Sequence, residues 1–275
     1  MVWVLLRLLA CTAVVPGEPP DLSASDPAAV SPDSLASGTA EVTEEECEQP
    51  LATRPALVAY SADQVGVFRI LWAPGFDAAP ALRALVREAL VEDLATLAER
   101  VPRPALDRLA GTQIAVDVEA ADDRGDRLHG LATHQSAGWL VTHGLDGARE
   151  GVVEVYDARD YLRYRATTQP MVILHELTHV LGRTADAPTL DALAVAYRGA
   201  VDSTRYEAVR HVGGRGGDTE RAYALKNEAE YAAELSEALF GRNDFYPFDQ
   251  TELQSFDPAG CESVAQLWLA ACPRP

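Results

Sequence analysis

Two histidines four residues apart form the pair in this sequence with the clearest chemistry. The run His175-Glu-Leu-Thr-His179 puts both imidazoles on one face of a helix, one turn apart, with the carboxylate of Glu176 beside the first. Two imidazole nitrogens suit neighbouring corners of a tetrahedral zinc site, and a third protein ligand would leave the fourth corner to water. Glu176 would be near enough to take a proton from that water. The spacing therefore predicts a Zn2+ site with a general base beside it.

The position of the third ligand separates the classes of zinc peptidase. A metzincin motif needs a histidine at position 185, where this chain has Ala185. A thermolysin-like site draws a glutamate from about twenty residues after the second histidine, where this chain has Gly199. Both classes are excluded, so the third ligand is expected farther along the chain.

A later run, Tyr223-Ala-Leu-Lys-Asn-Glu-Ala-Glu-Tyr-Ala-Ala-Glu234, offers such a ligand. Tyr223, Glu230 and Glu234 are seven and then four residues apart, a spacing that predicts one shared helix face. With the His-Glu-x-x-His helix before it, the run resembles the catalytic domain of anthrax lethal factor and its relatives, which are zinc peptidases of the gluzincin type. The resemblance covers residues 171–240. It implies that Glu230 is the third zinc ligand, that Tyr223 assists catalysis and that Glu234 supports a ligand from behind.

The run departs from the family pattern at two positions. Ala232 stands where the family has a second aromatic residue, and Leu225 stands where it has a polar one, so we expect a different substrate groove. The residues by themselves also leave Glu228 and Glu234 as alternative ligands. A glutamate on an exposed helix is by default a solvated charge, so its presence there does not identify it as the ligand.

These residues predict a zinc-dependent endopeptidase that acts on a peptide or protein substrate. Glu176 would serve as general base, and Tyr223 would donate to the developing oxyanion. The alternative is a non-catalytic zinc-binding surface lipoprotein or interaction module. A structural zinc site takes four protein ligands and needs no adjacent acid, so Glu176 favours the enzyme. The sequence contains no Gly-x-Ser-x-Gly elbow and no Cys-His pairing typical of a thiol nucleophile.

An α+β fold follows from the hydrophobic pattern. The pattern predicts a buried active-site helix over 167–182 and a C-terminal helix from 219 or 220 to 240 that carries the glutamate. The resemblance to lethal factor implies that they belong to a zincin-like metallopeptidase domain with a small mixed sheet. The glycine-rich segment 206–218 is not a phosphate-binding loop, because no strand precedes it and no Gly-Lys-Ser/Thr follows. We predict a mobile loop instead. The other predicted elements are strands at 65–72, 112–118 and 151–156 and a helix at 79–100.

One of these strands has a predicted role in binding. In related zinc peptidases an edge strand lies antiparallel to the substrate, and segment 151–156 is the strand that we expect to do so here, through its backbone hydrogen bonds. The alternative is an ordinary core strand.

Charge limits the classes of partner. The chain has 275 residues and a formal net charge of −19, which argues against nucleic acid and anionic membrane surfaces because both attract basic patches. Residues 1–50 carry nine acids and one base, Arg7, and are expected not to pack. We therefore divide the chain into a signal segment (1–11), a disordered tether (12–50) and one catalytic domain (51–275), and expect a monomer.

The amino-terminal segment predicts export. An apolar stretch too short to span a bilayer ends in Leu8-Leu9-Ala10-Cys11, which resembles a bacterial lipoprotein signal. That resemblance implies lipidation of Cys11, a location in the cell envelope, and membrane contact only through the lipid. The alternatives are a secreted protein with an ordinary signal, or a misassigned start.

Three further cysteines, Cys47, Cys261 and Cys272, permit one disulfide and a leftover thiol. An exported chain favours a bridge, and we expect Cys261 to pair with Cys272. Pairing of Cys47 with either of the others stays open at the level of the sequence.

Overall fold

A computed structural model describes residues 54–122, 124–134, 136–142, 145–213 and 218–272. These residues form a five-stranded mixed sheet with helices packed against it. All of them lie within one compact unit, Thr53–Pro275. The α+β class predicted from sequence is confirmed. The signal segment with Cys11, the tether and Cys47 lie outside the described residues. Within the described ranges, no helix combines the length and the apolar character that a membrane span requires.

The sheet has five strands, β1 Ser61–Val65, β2 Phe68–Trp72, β3 Gln113–Val116, β4 Leu131–Thr133 and β5 Val153–Val155. Their order in the sheet is β1-β2-β3-β5-β4. Strands β2, β3 and β5 run parallel, whereas β1 pairs antiparallel with β2 and β4 pairs antiparallel with β5. Each outer strand is therefore antiparallel to its neighbour.

The single strand predicted at 65–72 is wrong, because the chain turns back on itself there. Val65 ends β1 and Phe68 begins β2, so the two strands form a hairpin. Gly66 sits in the turn with φ +58°, a left-handed conformation that glycine adopts without the steric penalty of a Cβ atom. The glycine breaks what reads in the sequence as one apolar run.

The expectation that segment 151–156 forms the edge of the sheet is also wrong. Its strand β5 lies between β3 and β4, and Val153, Glu154 and Val155 are fully buried. The outer strand on this side is β4, whose three residues Leu131–Thr133 pair with β5 in the register Leu131 to Val155. An interior position explains the continuous burial of β5, since an interior strand is covered on both edges.

The described helices are interleaved with the strands along the chain. Their bounds are α1 Pro80–Arg100, α2 Arg103–Leu109, α3 Ala137–Thr142, α4 Ala158–Thr167, α5 Val172–Arg183, α6 Ala187–Asp202, α7 Glu228–Phe240, α8 Gln250–Phe256 and α9 Pro258–Leu267. Helices α1 and α2 lie between β2 and β3, α3 lies between β4 and β5, and the others follow β5. Helix α5 packs against β4, β5 and α7. Its residues from Val172 to Thr178 are buried, so it is the buried helix that the sequence predicts. It begins later than expected, because Thr167 is the last residue of α4 and does not cap α5.

Helix α7 also begins later than predicted. Asn227 is its N-cap, and the Asn227 side chain accepts hydrogen bonds from the backbone N–H groups of Ala229 and Glu230. The preceding residues form a short strand, β7 (Thr219–Glu220), and a 3-10 turn, Tyr223–Leu225. Strand β7 pairs antiparallel with β6 (Val209–Arg210), so part of the segment predicted as a mobile loop is a strand. Tyr223 is therefore not on the helix that carries Glu230, which corrects the expectation of a shared helix face.

Two features fix α7 against the C-terminal helices. Asp257, the N-cap of α9, accepts hydrogen bonds from the hydroxyls of Tyr206 and Tyr231 at 3.0 and 2.6 Å. At Gly260 a Cβ atom would lie 2.4 Å from the Tyr231 hydroxyl and 2.5 Å from Leu235, so only glycine permits this approach.

A disulfide joins Cys261 to Cys272 across a Cα distance of 5.7 Å, which confirms the predicted pairing.

Candidate metal centre

Helices α5 and α7 bring three potential ligands to one point. The Nε2 atoms of His175 and His179 lie 3.1 and 3.2 Å from the same carboxylate oxygen, Oε2 of Glu230. These three residues form one of two groups within the described ranges whose ligand atoms are close enough to share a metal ion. The three residues chosen from the sequence as ligands are thus brought together, and they can hold a metal ion.

The charges of the side chains at this site favour binding of a cation. Burial opposes the charge on Glu230, but hydrogen bonds from His175 and His179 hold its pKa well below the usual range. Burial likewise opposes protonation of His175, yet Glu230 and Glu237 raise its pKa well above the usual value. When no metal is bound, a proton on His175 offsets the negative charge of the neighbouring carboxylates. A metal ion would replace that proton.

Glu237 orients the first histidine. The Nδ1 atom of His175 donates to Oε1 of Glu237 at 2.8 Å, and Gln169 donates to the same oxygen at 2.8 Å. This bond turns Nε2 toward Glu230, as outer partners of metal-ligating histidines commonly do. Glu237 was missed from the sequence, although it lies seven residues after Glu230 and therefore on the same helix face.

Glu234, which the resemblance implies as a supporting residue, lies farther from His175. Its Oε1 atom is 4.0 Å from Nδ1. His175, Glu234 and Glu237 make up the second group with metal-ligand spacing, and burial together with the nearby carboxylates of Asp244 and Glu237 raises the pKa of Glu234. Both glutamates line the back of the site, and Glu237 makes the direct hydrogen bond.

Glu176 is tied to the outer strand of the sheet. The residue is 6% exposed, and its Oε2 atom accepts a hydrogen bond from Oγ1 of Thr133 at 2.9 Å. Thr133 is the last residue of β4. Thr133 could not be selected from the sequence, because a three-residue strand has too little alternation to be recognised.

Tyr223 reaches the site from the 3-10 turn. Its hydroxyl lies 3.3 Å from Oε1 of Glu230, the carboxylate oxygen that does not face the histidines. Burial and the Glu230 charge raise the pKa of Tyr223, so the phenol keeps its proton at neutral pH. Tyr223 is therefore a hydrogen-bond donor at the edge of the candidate metal centre.

A second buried cluster of charges lies beside β4. Glu154 on β5 contacts Arg149 at 2.5 Å, Arg54 at 3.0 Å and His134 at 3.4 Å. Arg54 also pairs with Asp117 at 2.7 Å. Burial opposes the charge of Glu154, but His134 and the two guanidinium groups lower its pKa to about 2. The cluster fixes the start of the described chain to the middle of the sheet.

Comparisons with models of protein families, with curated proteins and with solved structures found no match to this chain. The functional proposal therefore rests on the residues and their geometry.

Proposed function

We propose that the protein is a zinc-dependent endopeptidase whose metal is held by His175, His179 and Glu230. The observation that carries the proposal is the pair of distances, 3.1 and 3.2 Å, between the histidine nitrogens and one glutamate oxygen. Bonds of 2.0–2.1 Å at tetrahedral angles put neighbouring zinc ligands about 3.3–3.4 Å apart. The two histidine–glutamate distances are therefore close to those expected between neighbouring zinc ligands.

The donor set favours zinc over other common cations. Calcium and magnesium prefer shells made of oxygen atoms, whereas two imidazoles and one carboxylate are typical of catalytic zinc with an open fourth position. Bound at this site, the metal would polarise a substrate carbonyl and acidify a water molecule.

Glu176 is the proposed general base. Thr133 donates to Oε2 of its carboxylate, which holds the group in one orientation and leaves Oε1 to accept the proton of the attacking water. The same carboxyl group can then deliver that proton to the nitrogen of the leaving amine. A purely structural metal site would have no use for such an acid.

Tyr223 is the proposed donor to the oxyanion. Its protonated hydroxyl lies 3.3 Å from Oε1 of the proposed ligand Glu230, and we expect it to donate to the oxygen of a substrate carbonyl as that oxygen gains charge. A preorganised donor of this kind stabilises the transition state more than the ground state.

Strand β4 is the proposed binding edge for the substrate. It pairs with β5 along one side and is the outermost strand in this direction, so its other side can accept an extended peptide as an added strand. Thr133 links this edge to Glu176. The role predicted for segment 151–156 thereby moves to its neighbour.

The architecture supports a zincin-like, lethal factor-like gluzincin domain. A buried helix with both histidines lies against a sheet that ends in an antiparallel strand, and a later helix supplies the glutamate. Export as a lipoprotein anchored through Cys11 remains part of the proposal. The Cys261–Cys272 disulfide supports an oxidising compartment.

Metal content tests the ligand set. We expect elemental mass spectrometry to find one zinc per chain in the parent protein and little in a folded Glu230→Ala variant. Glu228→Ala is the matched control, because Glu228 is exposed on the first turn of the same helix and should leave zinc content unchanged. Absence of zinc from the folded, metal-replete parent, or equal zinc in parent and Glu230→Ala, would overturn the ligand assignment.

Hydrolysis of a peptide library tests the enzyme. The zinc-loaded parent should cleave, whereas Glu176→Gln should retain zinc and lose at least about 10²-fold in turnover. Cleavage by Glu176→Gln at the parental rate would remove Glu176 as the base. A zinc-loaded parent that cleaves no peptide would favour the non-catalytic alternative.

A further inference from the structure

Lys226 is the only lysine in the sequence. The 23 lysine and arginine residues of the chain comprise this lysine and 22 arginines. The single lysine side chain lies three residues after Tyr223, at the candidate metal centre.

The ammonium group is in direct contact with that tyrosine. Nζ of Lys226 lies 2.5 Å from the Tyr223 hydroxyl and 4.6 Å from the centre of its ring. It also lies 3.6 Å from Oε1 of Glu230. The contact follows from the 3-10 turn Tyr223–Leu225, because side chains three residues apart are superimposed in such a turn.

The chemistry of the two groups determines which of them donates the hydrogen bond. An ammonium group only donates hydrogen bonds, so the phenol oxygen must accept from Lys226. The single O–H proton of Tyr223 then points away from the lysine, toward Oε1 of Glu230 in this structure. A hydrogen bond from a charged donor is about twice as strong as one between neutral groups, and it also polarises the hydroxyl that accepts it.

We propose that Lys226 is a positioning residue for Tyr223. It occupies the acceptor side of the phenol oxygen, keeps the O–H proton directed into the site, and makes the phenol a stronger donor to the oxyanion of a peptide substrate. This inference rests on the proposed peptidase function. It assigns to Lys226 an effect that is exerted through Tyr223 and not through the metal.

The type of cation matters for this role. An ammonium group is a compact charge with three donors on a flexible stem, whereas a guanidinium group is a broad planar fork. Lys226 can therefore face both the Tyr223 hydroxyl and Glu230 from a side chain that is 29% exposed. An arginine at this position would meet the phenol from a different direction and restore the contact only in part.

A double-mutant cycle on the zinc-loaded, full-length protein tests the role. We expect Tyr223→Phe to lower kcat about 10²-fold, and Lys226→Met to lower kcat about tenfold with KM changed less than about twofold. In the Tyr223→Phe background, Lys226→Met should cause no further loss, because the residue acts through the missing hydroxyl. Lys226→Arg should recover part of the activity. An unchanged kcat in Lys226→Met, or the same tenfold loss in both backgrounds, would overturn the proposal.

A matched control separates a local effect from a loss of charge. Arg103→Met also removes one positive charge, from a side chain that is 76% exposed on α2, and should leave kcat unchanged. Zinc content should be equal in the parent and in Lys226→Met. Loss of zinc from Lys226→Met would assign the residue to the metal site and contradict a role through Tyr223.

A second readout is independent of activity. Labelling with 15N-lysine marks one side chain in this protein, so a single ammonium signal reports on Lys226. In the metal-free chain we expect this signal to be observable, to show contacts with the Tyr223 ring, and to weaken in Tyr223→Phe. Absence of those contacts would overturn the proposal. If the zinc-loaded parent cleaves no peptide, the endopeptidase proposal fails, while the ammonium contact still decides whether Lys226 positions Tyr223.

Discussion

The hydroxyl of Thr133 donates to the carboxylate of Glu176 at 2.9 Å, so one of the two outer strands of the sheet is joined directly to the proposed general base. The first residue belongs to β4 and the second to α5. A peptide that lies along β4 would therefore be bound next to the acid that takes the proton from water.

Replacing Thr133 by valine tests this connection. The two side chains have the same shape, but valine cannot donate, and loss of a hydrogen bond to a charged group costs about 1.5–3 kcal/mol. We expect Thr133→Val to lower kcat/KM about tenfold or more while zinc content is unchanged. Thr133→Ser, which keeps the hydroxyl, should retain most of the activity. Equal kcat/KM values for the parent and Thr133→Val would show that the contact does not matter for hydrolysis.

Glu237 should matter for metal affinity more than Glu234 does. Glu237 accepts directly from His175 at 2.8 Å, whereas Glu234 lies 4.0 Å away. Changes to such outer partners typically weaken metal binding 10–100-fold, and we expect Glu237→Gln to do so in a chelator competition experiment. Glu234→Gln is the matched comparison on the same helix face and should weaken binding less. The reverse order would restore the role that the family resemblance implies for Glu234.

The metal-free protein should lose stability as the pH rises above neutrality. The pKa of His175 is raised in the folded state, so its contribution is fully present below the ordinary value of 6.5 and is lost as the pH rises through the raised value. The pKa of Glu230 is lowered, so its contribution is present above 4.5 and is lost as the pH falls through the lowered value.

Thermal melting with a chelator, at a series of pH values, measures both effects. His175→Asn should flatten the decline above pH 6.5 that we expect for the parent. Zinc should also bind more weakly at lower pH, because it must displace the proton from His175. A metal-free parent whose melting temperature rises as the pH is raised above 6.5 would contradict the raised pKa of His175.

Glu154 should govern the stability of the sheet in acid. Its charge is fully buried between Arg54 and Arg149, and removing one member of a buried ion network typically costs about 3–5 kcal/mol. We expect Glu154→Gln to lower the free energy of unfolding by about that amount in denaturant titrations. Glu228→Gln, on an exposed position, should have little effect.

The same residue gives a pH window. With a pKa lowered from 4.5 to about 2, Glu154 stabilises the fold above pH 4.5, and this stabilisation is lost as the pH falls toward 2. The parent should therefore lose stability across that interval more steeply than Glu154→Gln does. Parallel curves for the two proteins would show that Glu154 is not responsible.

The sequence predicted the parts of the site that depend on local periodicity. The histidines four residues apart, and Glu230 on a helix that ends at Phe240, come together in the structure as metal-ligand spacing requires. The buried helix α5 could also be predicted, because its apolar residues surround the histidines. These features are encoded within single turns of a helix, where a short pattern is informative.

The parts that were missed or wrong depend on contacts between distant elements. Strand β4 has three residues, and its place at the edge is set by pairing with β5, which no local pattern records. Tyr223 was expected on α7, but Asn227 caps the helix after it. Glu237 has the right spacing, yet its function depends on the distance between α5 and α7. Helix periodicity alone therefore could not specify the surroundings of the ligands.

Asp257 ties the metal centre to a distant part of the chain. It accepts from Tyr231 on α7, the helix that presents Glu230, and it also accepts from Tyr206 and caps α9. A change at this single carboxylate would let α7 shift, so the affinity for metal would be altered from a residue that touches none of the ligands. A substitution at residue 257 would thus lower the proposed activity although every proposed catalytic side chain is intact. The His-Glu-x-x-His motif alone would not reveal the loss.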